Sequence, residues 1–227
     1  MDIAGIIQSV TSDVDRVRLN HLPCAEDFYG TLLQMIPFAP DEKITIADLG
    51  SADGFVSALL LARYPDAHVT MIDVNEDRLQ ASTGRFSGRP ENFSVLNVDY
   101  ARSDPPERYN LVVSALSIHH LNDIDKRALY RTLYSRLYPG GVFINGDRFK
   151  APTELLDEEY HRNWQEKARL AGASEESIAL SLEHMSEDHD AEAEEQIEWI
   201  RNAGFRNADI YYKNQMFAVI GGRRPDF

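Results

Sequence analysis

The feature that most constrains the fold of this chain is a series of short apolar runs, separated by segments with helical periodicity. Runs such as ITIADL and LVVSAL are apolar at nearly every position, which is typical of central strands buried on both faces of a parallel sheet. Strands that alternate with helices along a chain predict a parallel sheet wrapped by helices. The predicted strands are 44–49, 67–73, 93–98, 109–114, 142–145, 208–212 and 216–221.

Helices are predicted between these strands, at 55–63, 76–86 and 123–137. The third is followed by a Pro-Gly-Gly sequence at 139–141, which is a strong stop signal for a helix. The last two strands are joined by a short Lys-Asn-Gln connection, so they predict a hairpin. We expect its final strand to run antiparallel at or near the edge of the sheet.

Two regions lie outside this alternation. The first 41 residues include an amphipathic stretch at 25–36 that is closed by prolines. Between Asp147 and Phe205 only helical patterns occur, at 153–170, 174–185 and 191–203. An insertion near the carboxyl ends of the strands would cover the crevice in which open α/β sheets bind ligands, so we interpret this region as a lid.

The turn after the first strand reads Gly50-Ser51-Ala52-Asp53-Gly54. A dinucleotide-binding turn needs the spacing Gly-x-Gly-x-x-Gly, in which the second glycine lets the backbone touch a pyrophosphate. Here Ala52 occupies the middle position, and Asp53 places a negative charge where a pyrophosphate would lie. The turn is not a P-loop either, because no Lys-Ser/Thr pair follows. It therefore favours a ligand without phosphate.

Acidic residues follow the next two strands. Asp73 ends the second strand, where a carboxylate can accept hydrogen bonds from both ribose hydroxyls, and Asp99 follows the third. With these acids, the glycine turn, YNLVVSALSIHHL and LYPGGVFING, the sequence resembles the class I S-adenosylmethionine-dependent methyltransferases. The resemblance covers about 44–147 and the terminal hairpin. Two positions depart from the family pattern, Ala52 at the usual middle glycine and Asn110 at a common aspartate.

The resemblance implies a cofactor site for S-adenosyl-L-methionine. In that family the turn passes under the methionine part, the acid of the second strand holds the ribose, and the acid of the third takes the adenine amino group. The residues carried over are Asp48, Gly50, Ser51, Ala52 and Gly54 in the turn, Asp73 and Val74 at the ribose and adenine, Asp99 and Tyr100 at the adenine end, and Ser114 and Ala115 at the end of the fourth strand.

The fold class that follows is α/β, a Rossmann-like seven-stranded mostly parallel sheet with helices on both faces, an antiparallel C-terminal hairpin strand and a helical lid insertion. Its 227 residues suit either one large domain or one domain with a small appendage. We expect an N-terminal helical cap at 1–41, a cofactor-binding domain at 42–147 and 204–227, and an acceptor-binding lid at 148–203.

Methyl transfer from a sulfonium is an in-line displacement that depends first on proximity, and it needs a base only if the acceptor must lose a proton. Just past the fourth strand, His119 is the candidate base or orienting group, although a histidine there can also simply bond a loop carbonyl. His120, Arg148, Tyr160 and Trp164 are the candidate acceptor-binding residues. Tyr160 and Trp164 share one helical face, and ordinary lid core is the alternative role for both.

Other enzyme and non-enzyme functions stay open. AGASEESIALSLEHM and EEQIEWIRNAGF look similar to the lid of the carboxy-S-adenosylmethionine synthases, in which a lid arginine reads a carboxylate of the cofactor. No arginine or lysine occurs from Leu170 to Ile200, so Arg148 or Arg18 would have to serve. A cofactor-binding relative without catalysis, acting as a scaffold, is the third alternative.

Composition restricts the partners. A net charge of −14 would repel a phosphate backbone or an anionic lipid surface, so we expect no nucleic acid and no membrane partner, and a small-molecule acceptor. The single cysteine and the absence of a signal-peptide pattern in MDIAGIIQSV predict a cytoplasmic protein, and a homodimer is left open. The spacing of His184, Asp188 and His189 fits no specific metal site, so no metal is predicted.

Overall fold

The computed structural model describes residues 2–86, 88, 90–103 and 105–226. Met1 of the predicted cap (1–41) and Phe227 of the predicted cofactor-binding domain (204–227) lie outside these residues. The strands are β1 (Thr45–Leu49), β2 (His68–Asp73), β3 (Phe93–Asn97), β4 (Tyr109–Ala115), β5 (Leu137–Arg148), β6 (Arg206–Asn214) and β7 (Phe217–Arg223). The α-helices are α1 (Ile3–Val10), α2 (Asp13–Leu19), α3 (Ala25–Gln34), α4 (Phe55–Arg63), α5 (Glu76–Arg85), α6 (Asp123–Arg136), α7 (Glu154–Leu170), α8 (Glu175–Ser186) and α9 (Ala193–Asn202).

The strands form one seven-stranded sheet in the order β3-β2-β1-β4-β5-β7-β6. Across the sheet, the neighbouring strands β3, β2, β1, β4 and β5 pair in parallel. Strand β7 pairs antiparallel with both β5 and β6. The predicted fold class is therefore confirmed, including the antiparallel strand near the edge. The order reverses between β1 and β4, and this is the place where open α/β sheets form a ligand crevice.

The two faces of the sheet are covered by different helices. Successive strand residues face opposite sides, so Ile46 and Leu111 belong to one apolar cluster, which also includes residues of α3 and α4. Ala47 and Val112 belong to a second cluster, which includes residues of α6 and α9. Burial on both faces explains why the central strands are apolar at nearly every position.

The main differences from the predicted elements are at the N-terminus and in β5. Helices α1 and α2 were not predicted, because each has only two turns and is defined by the caps of Asp2 and Ser12. Strand β5 begins five residues early, because Gly140 adopts a φ of 76° and the ladder with β4 continues across an irregularity. It also ends three residues later than predicted, at Arg148.

Helices α7, α8 and α9 occupy the segment predicted to be a lid, and the proposed boundaries of the cap, domain and lid stay predictions. Among the residues that the structure describes, no helix is both long and apolar enough to cross a bilayer.

Candidate active site

A cleft of about 600 Å³ lies at the carboxyl ends of β1, β2 and β4, at the reversal of strand order. This volume is within the range of small-molecule sites, roughly 300–1,000 Å³. Its walls come from the turn after β1 with the start of α4, from the ends of β2 and β3, from the segment after β4, and from the N-terminal helices α2 and α3. The lining residues are Arg18, Tyr29, Gly50, Ser51, Ala52, Asp53, Phe55, Val56, Asp73, Val74, Asn75, Arg78, Asp99, Tyr100, Ala115, Leu116, Ser117, His120 and Leu121.

The turn after β1 requires a glycine at position 50. Its φ is 66°, and a Cβ there would lie 1.9 Å from the Ser117 Oγ, so no side chain fits. The backbone N–H of Gly50 donates to the Ile72 carbonyl at 2.8 Å, which ties the turn to β2. Ala52 also has a positive φ of 47°, a conformation that costs an L-residue about 1–2 kcal/mol.

Asp73 fastens this turn from the end of β2. Its Oδ2 accepts from the Ala52 N–H and its Oδ1 from the Asn75 N–H, both at 2.8 Å. A carboxylate has about four lone-pair positions, so acceptor capacity is left for hydroxyl groups in the cleft. Val74 beside it is 61% exposed and offers an apolar surface.

The end of β3 supplies a second carboxylate and a phenol. Asp99 accepts from the Ala101 N–H at 2.9 Å through Oδ1, while its Oδ2 lies 3.3 Å from the Arg102 Nε. The buried Tyr100 hydroxyl and the Ser117 Oγ are hydrogen-bonded at 2.7 Å. Burial raises the pKa of the Tyr100 phenol well above its usual range, so the phenol keeps its proton.

Three residues carried over from the family support the turn without lining the cleft: Asp48, Gly54 and Ser114. Asp48 is buried and accepts from the Ser57 Oγ at 2.6 Å. Burial raises the pKa of Asp48 to about 7, although the hydrogen bond from Ser57 opposes this shift. Ser114 Oγ donates to the Leu49 carbonyl at 3.0 Å. A left-handed Gly54 precedes α4.

Two N-terminal residues lie in the wall, Arg18 of α2 and Tyr29 of α3. The sequence named Arg18 only for the synthase alternative, and it gave no indication of Tyr29. Arg18 donates to both carboxylate oxygens of Asp53, at 2.8 and 2.6 Å. Because 35 residues separate the partners, no local pattern could have indicated this pair. Ser51 also lines the cleft, and its buried Oγ has no hydrogen-bond partner among the described residues. An unsatisfied buried hydroxyl in a cleft wall suits a polar ligand group.

The two adjacent histidines have different environments. His120 lines the cleft, its side chain is 61% exposed, and its Nδ1 lies 2.5 Å from the Asp188 Oδ1. His119 is buried and does not line the cleft; its Nδ1 lies 2.6 Å from the Asp147 Oδ1. Burial alone would lower the pKa of His119, but the neighbouring Asp147 outweighs it, and the pKa is raised. The role predicted for His119 stays a prediction.

The other candidate acceptor residues lie away from the cleft walls. Arg148 is buried, and its guanidinium donates to Asp188 at 2.6 Å and to Asp190 at 2.8 Å. Trp164 is 2% exposed, and its Nε1 donates to the His21 carbonyl at 2.9 Å. Tyr160 packs against the apolar core. The spacing of Tyr160 and Trp164 puts both on one helical face, which is compatible with packing in the interior of the lid and with binding an acceptor. The sequence alone could not distinguish these two roles.

Comparisons with known proteins agree with this geometry. Residues 46–141 match the family described as "Methyltransferase domain". The malonyl-[acyl-carrier protein] O-methyltransferase of Acetivibrio thermocellus is 31% identical over 94 residues, covering 41% of this chain and 32% of that protein. The trans-aconitate 2-methyltransferase of Streptomyces coelicolor is 33% identical over 151 residues, covering 62% and 47%.

Solved structures share the fold at low sequence identity. Human N-acetylserotonin methyltransferase in complex with SAM has a TM-score of 0.61 at 18% identity, covering 94% of this chain and 57% of that one. An S-adenosylmethionine dependent methyltransferase from Mesorhizobium loti has a TM-score of 0.59 at 17% identity, covering 87% and 98%.

The match of residues 46–141 to a methyltransferase domain, the methyltransferase relatives and the shared fold confirm the resemblance inferred from the motifs. The chain spans between a third and about half of the length of the curated relatives it matches.

Proposed function

We propose that this protein is an S-adenosylmethionine-dependent methyltransferase that acts on a small-molecule acceptor. The observation that supports it most is the arrangement of one cleft, in which a glycine turn and two carboxylates at successive strand ends, Asp73 and Asp99, face the same space.

The residues fit the cofactor in chemistry as well as in position. Asp73 would hold the ribose hydroxyls, Val74 would lie against the adenine, and Asp99 with Tyr100 would close the adenine end. The Ser51 Oγ, which has no hydrogen-bond partner in the part of the chain that the structure describes, would supply a polar contact to the cofactor. When bound, the cofactor supplies a sulfonium methyl group that is open to in-line attack; the cleft walls hold the acceptor beside it and exclude water.

The predicted lid and the negative net charge of the chain support a small molecule as the acceptor. We also propose that the protein acts in the cytoplasm. Helices α7–α9 follow β5 at the carboxyl edge of the sheet, and a net charge of −14 disfavours a nucleic-acid acceptor. The names of two relatives describe methyl transfer to malonyl-acyl-carrier protein and to trans-aconitate. A homodimer stays open.

The carboxy-S-adenosylmethionine synthase alternative has less support. It needs an arginine to read a carboxylate, and both candidates are already paired, Arg148 with Asp188 and Asp190, and Arg18 with Asp53.

Calorimetry with S-adenosylmethionine and S-adenosylhomocysteine tests the proposal. We expect both to bind the wild-type protein. Asp73→Ala should lose about 10- to 100-fold in affinity, because hydrogen bonds to a charged group contribute about 1.5–3 kcal/mol. Asp77→Ala, which removes an exposed carboxylate from the start of α5, is the matched control and should bind as the wild type does. Folded protein that binds neither compound would refute the proposal.

A further inference from the structure

His120 and Asp188 form a polar pair at the cleft wall. The Asp188 side chain is 5% exposed, whereas that of His120 is 61% exposed and lines the cleft. A carboxylate only accepts hydrogen bonds, so the Nδ1 of His120, 2.5 Å from the Asp188 Oδ1, is the nitrogen that donates. In the neutral imidazole this leaves Nε2 with the free lone pair.

Asp188 is held as a charged group from a second side. Arg148 Nη2 donates to its Oδ2 at 2.6 Å, and the His119 Nε2 lies 3.7 Å from the same oxygen. Burial would raise the pKa of Asp188, but the hydrogen bond from Arg148 and the two histidines outweigh it, and the pKa is lowered. The carboxylate that orients His120 is therefore ionised and fixed in place.

Asp188 comes from the lid. It lies in the loop between α8 and α9, and the next residue ties that loop to the domain: the His189 N–H donates to the His119 carbonyl at 3.1 Å, and the buried Lys126 Nζ donates to the His189 carbonyl. The loop thus bonds to the histidine turn after β4 at both the backbone and the side chains.

We propose that His120 is the general base for methyl transfer to a hydroxyl acceptor, an alcohol or a phenol, and that Asp188 of the lid is its positioning residue. A base held by a third group is the arrangement that activates weak nucleophiles in other enzymes. A carboxylic acid acceptor is already ionised at neutral pH and needs no base, whereas a hydroxyl acceptor must lose its proton. The pair of His120 and Asp188 therefore favours a hydroxyl acceptor over a carboxylate. The inference rests on the proposed function.

The step balances without a further reactant. His120 Nε2 takes the proton of the acceptor O–H while the oxygen forms a bond to the methyl carbon. The bond between this carbon and the sulfonium sulfur breaks, its electron pair stays on sulfur as a thioether, and the imidazolium returns its proton to solvent. The positive charge of the sulfonium is thereby transferred to the histidine.

Several charged groups surround His120 and belong to any pH argument. Asp188 of the lid loop is hydrogen-bonded to it, and His119 lies beside it with ring centroids 4.1 Å apart. Arg148 of β5 pairs with Asp188 and Asp190 behind this contact. The cleft itself contains Arg18, Asp53, Asp73, Arg78 and Asp99. Apart from the residue that is substituted, these groups are the same in the wild type and in each variant below, so a difference in pH profile is assigned to the substituted residue.

The test uses the full chain, S-adenosylmethionine with a labelled methyl group, and three acceptor probes: catechol, p-nitrophenol and benzoate. We expect transfer to catechol and p-nitrophenol. His120→Gln should lower the rate with catechol by about 10²–10⁴-fold, the usual contribution of a general base, and the rate with the readily ionised p-nitrophenol much less. The pH profile of the wild-type rate with catechol should differ from that of His120→Gln, because only the wild type can transfer the acceptor proton to this imidazole.

The lid residue is tested against a neighbour on the same loop. Asp188→Asn should lower kcat with catechol towards the value of His120→Gln and leave cofactor affinity unchanged, because the amide can impose the other tautomer on His120. Asp190→Asn, which pairs with Arg148 and not with His120, should keep most of kcat. Thermal unfolding and calorimetry with S-adenosylmethionine confirm that each variant is folded.

Three results would overturn the proposal. The first is an unchanged rate and pH profile with catechol in folded His120→Gln. The second is transfer to benzoate alone, or to none of the probes, by wild-type protein that binds the cofactor. The third is a catechol rate abolished by EDTA and restored by a divalent cation, since a metal-bound hydroxyl needs no imidazole base. A wild-type protein that does not bind S-adenosylmethionine would instead refute the proposed function on which this inference rests.

Discussion

Replacing Asp48 by asparagine should stabilise the protein at neutral and alkaline pH. Asp48 is 1% exposed near the end of β1, and its side chain accepts a hydrogen bond from the Ser57 hydroxyl. Asparagine has nearly the same shape and keeps an oxygen that can accept from Ser57, but it carries no charge. The substitution therefore isolates the free energy of burying a carboxylate.

The pKa shift gives the size and the sign of the effect. The pKa of Asp48 rises from 3.8 to about 7 on folding, a shift of roughly 3 units, which corresponds to about 4 kcal/mol. Between these values the folded protein keeps a proton that the unfolded chain has lost. The free energy of unfolding therefore falls as the pH rises through this window, and the loss is complete above about pH 7.

Chemical denaturation across the pH range measures this difference. Asp48→Asn and wild type should have similar free energies of unfolding at about pH 4. At about pH 8 the variant should be more stable by up to about 4 kcal/mol, which corresponds to roughly 8–16 °C in Tm. Asp41→Asn removes an exposed carboxylate and is the control for net charge. Equal stabilities of Asp48→Asn and wild type at every pH would show that the carboxylate is not buried as described.

Three further substitutions test the packing around the cleft. Gly50→Ala should destabilise the protein by about 1–3 kcal/mol and weaken cofactor binding in calorimetry, because the new Cβ meets the Ser117 Oγ; Ser117→Gly in the same chain should recover part of the loss. Arg85→Ala should lower the free energy of unfolding in urea by about 3–5 kcal/mol, because it leaves the 1% exposed Asp15 side chain without its ion pair. Arg18→Ala removes a pair that is 45% exposed on the arginine side, and the same titration should show a loss of about 1 kcal/mol or less.

The sheet and most helices could be predicted from the sequence because their signals are local. Helix α4 has the predicted bounds, since Gly54 precedes it and every position from 55 to 62 except Ser57 is apolar. Helix α6 begins at the predicted residue because Asn122 caps it, with its side chain accepting from the Asp125 N–H. The carboxylates Asp73 and Asp99 share the cleft because parallel strands end at the same edge of the sheet.

Contacts between distant segments could not be predicted. Arg148 is a charged residue at the end of an apolar run, so the sequence is compatible with a solvated side chain. Its side chain is nevertheless 7% exposed, because the carboxylates of Asp188 and Asp190 neutralise its charge. The pairing of His120 with Asp188 spans 68 residues and depends on how the segment between α8 and α9 packs against the turn after β4. For the same reason the sequence favoured His119 for catalysis, although the adjacent His120 is the histidine that lines the cleft.

The ion pair between Arg18 and Asp53 bears on how fast a nucleoside can enter and leave. It joins the N-terminal helices to the glycine turn across one side of the cleft, and both partners retain contact with water, at 45% and 22% exposure. Exposed ion pairs weaken as ionic strength rises. Salt should therefore accelerate exchange of the spent nucleoside, and a turnover limited by product departure would increase with ionic strength before stability is affected.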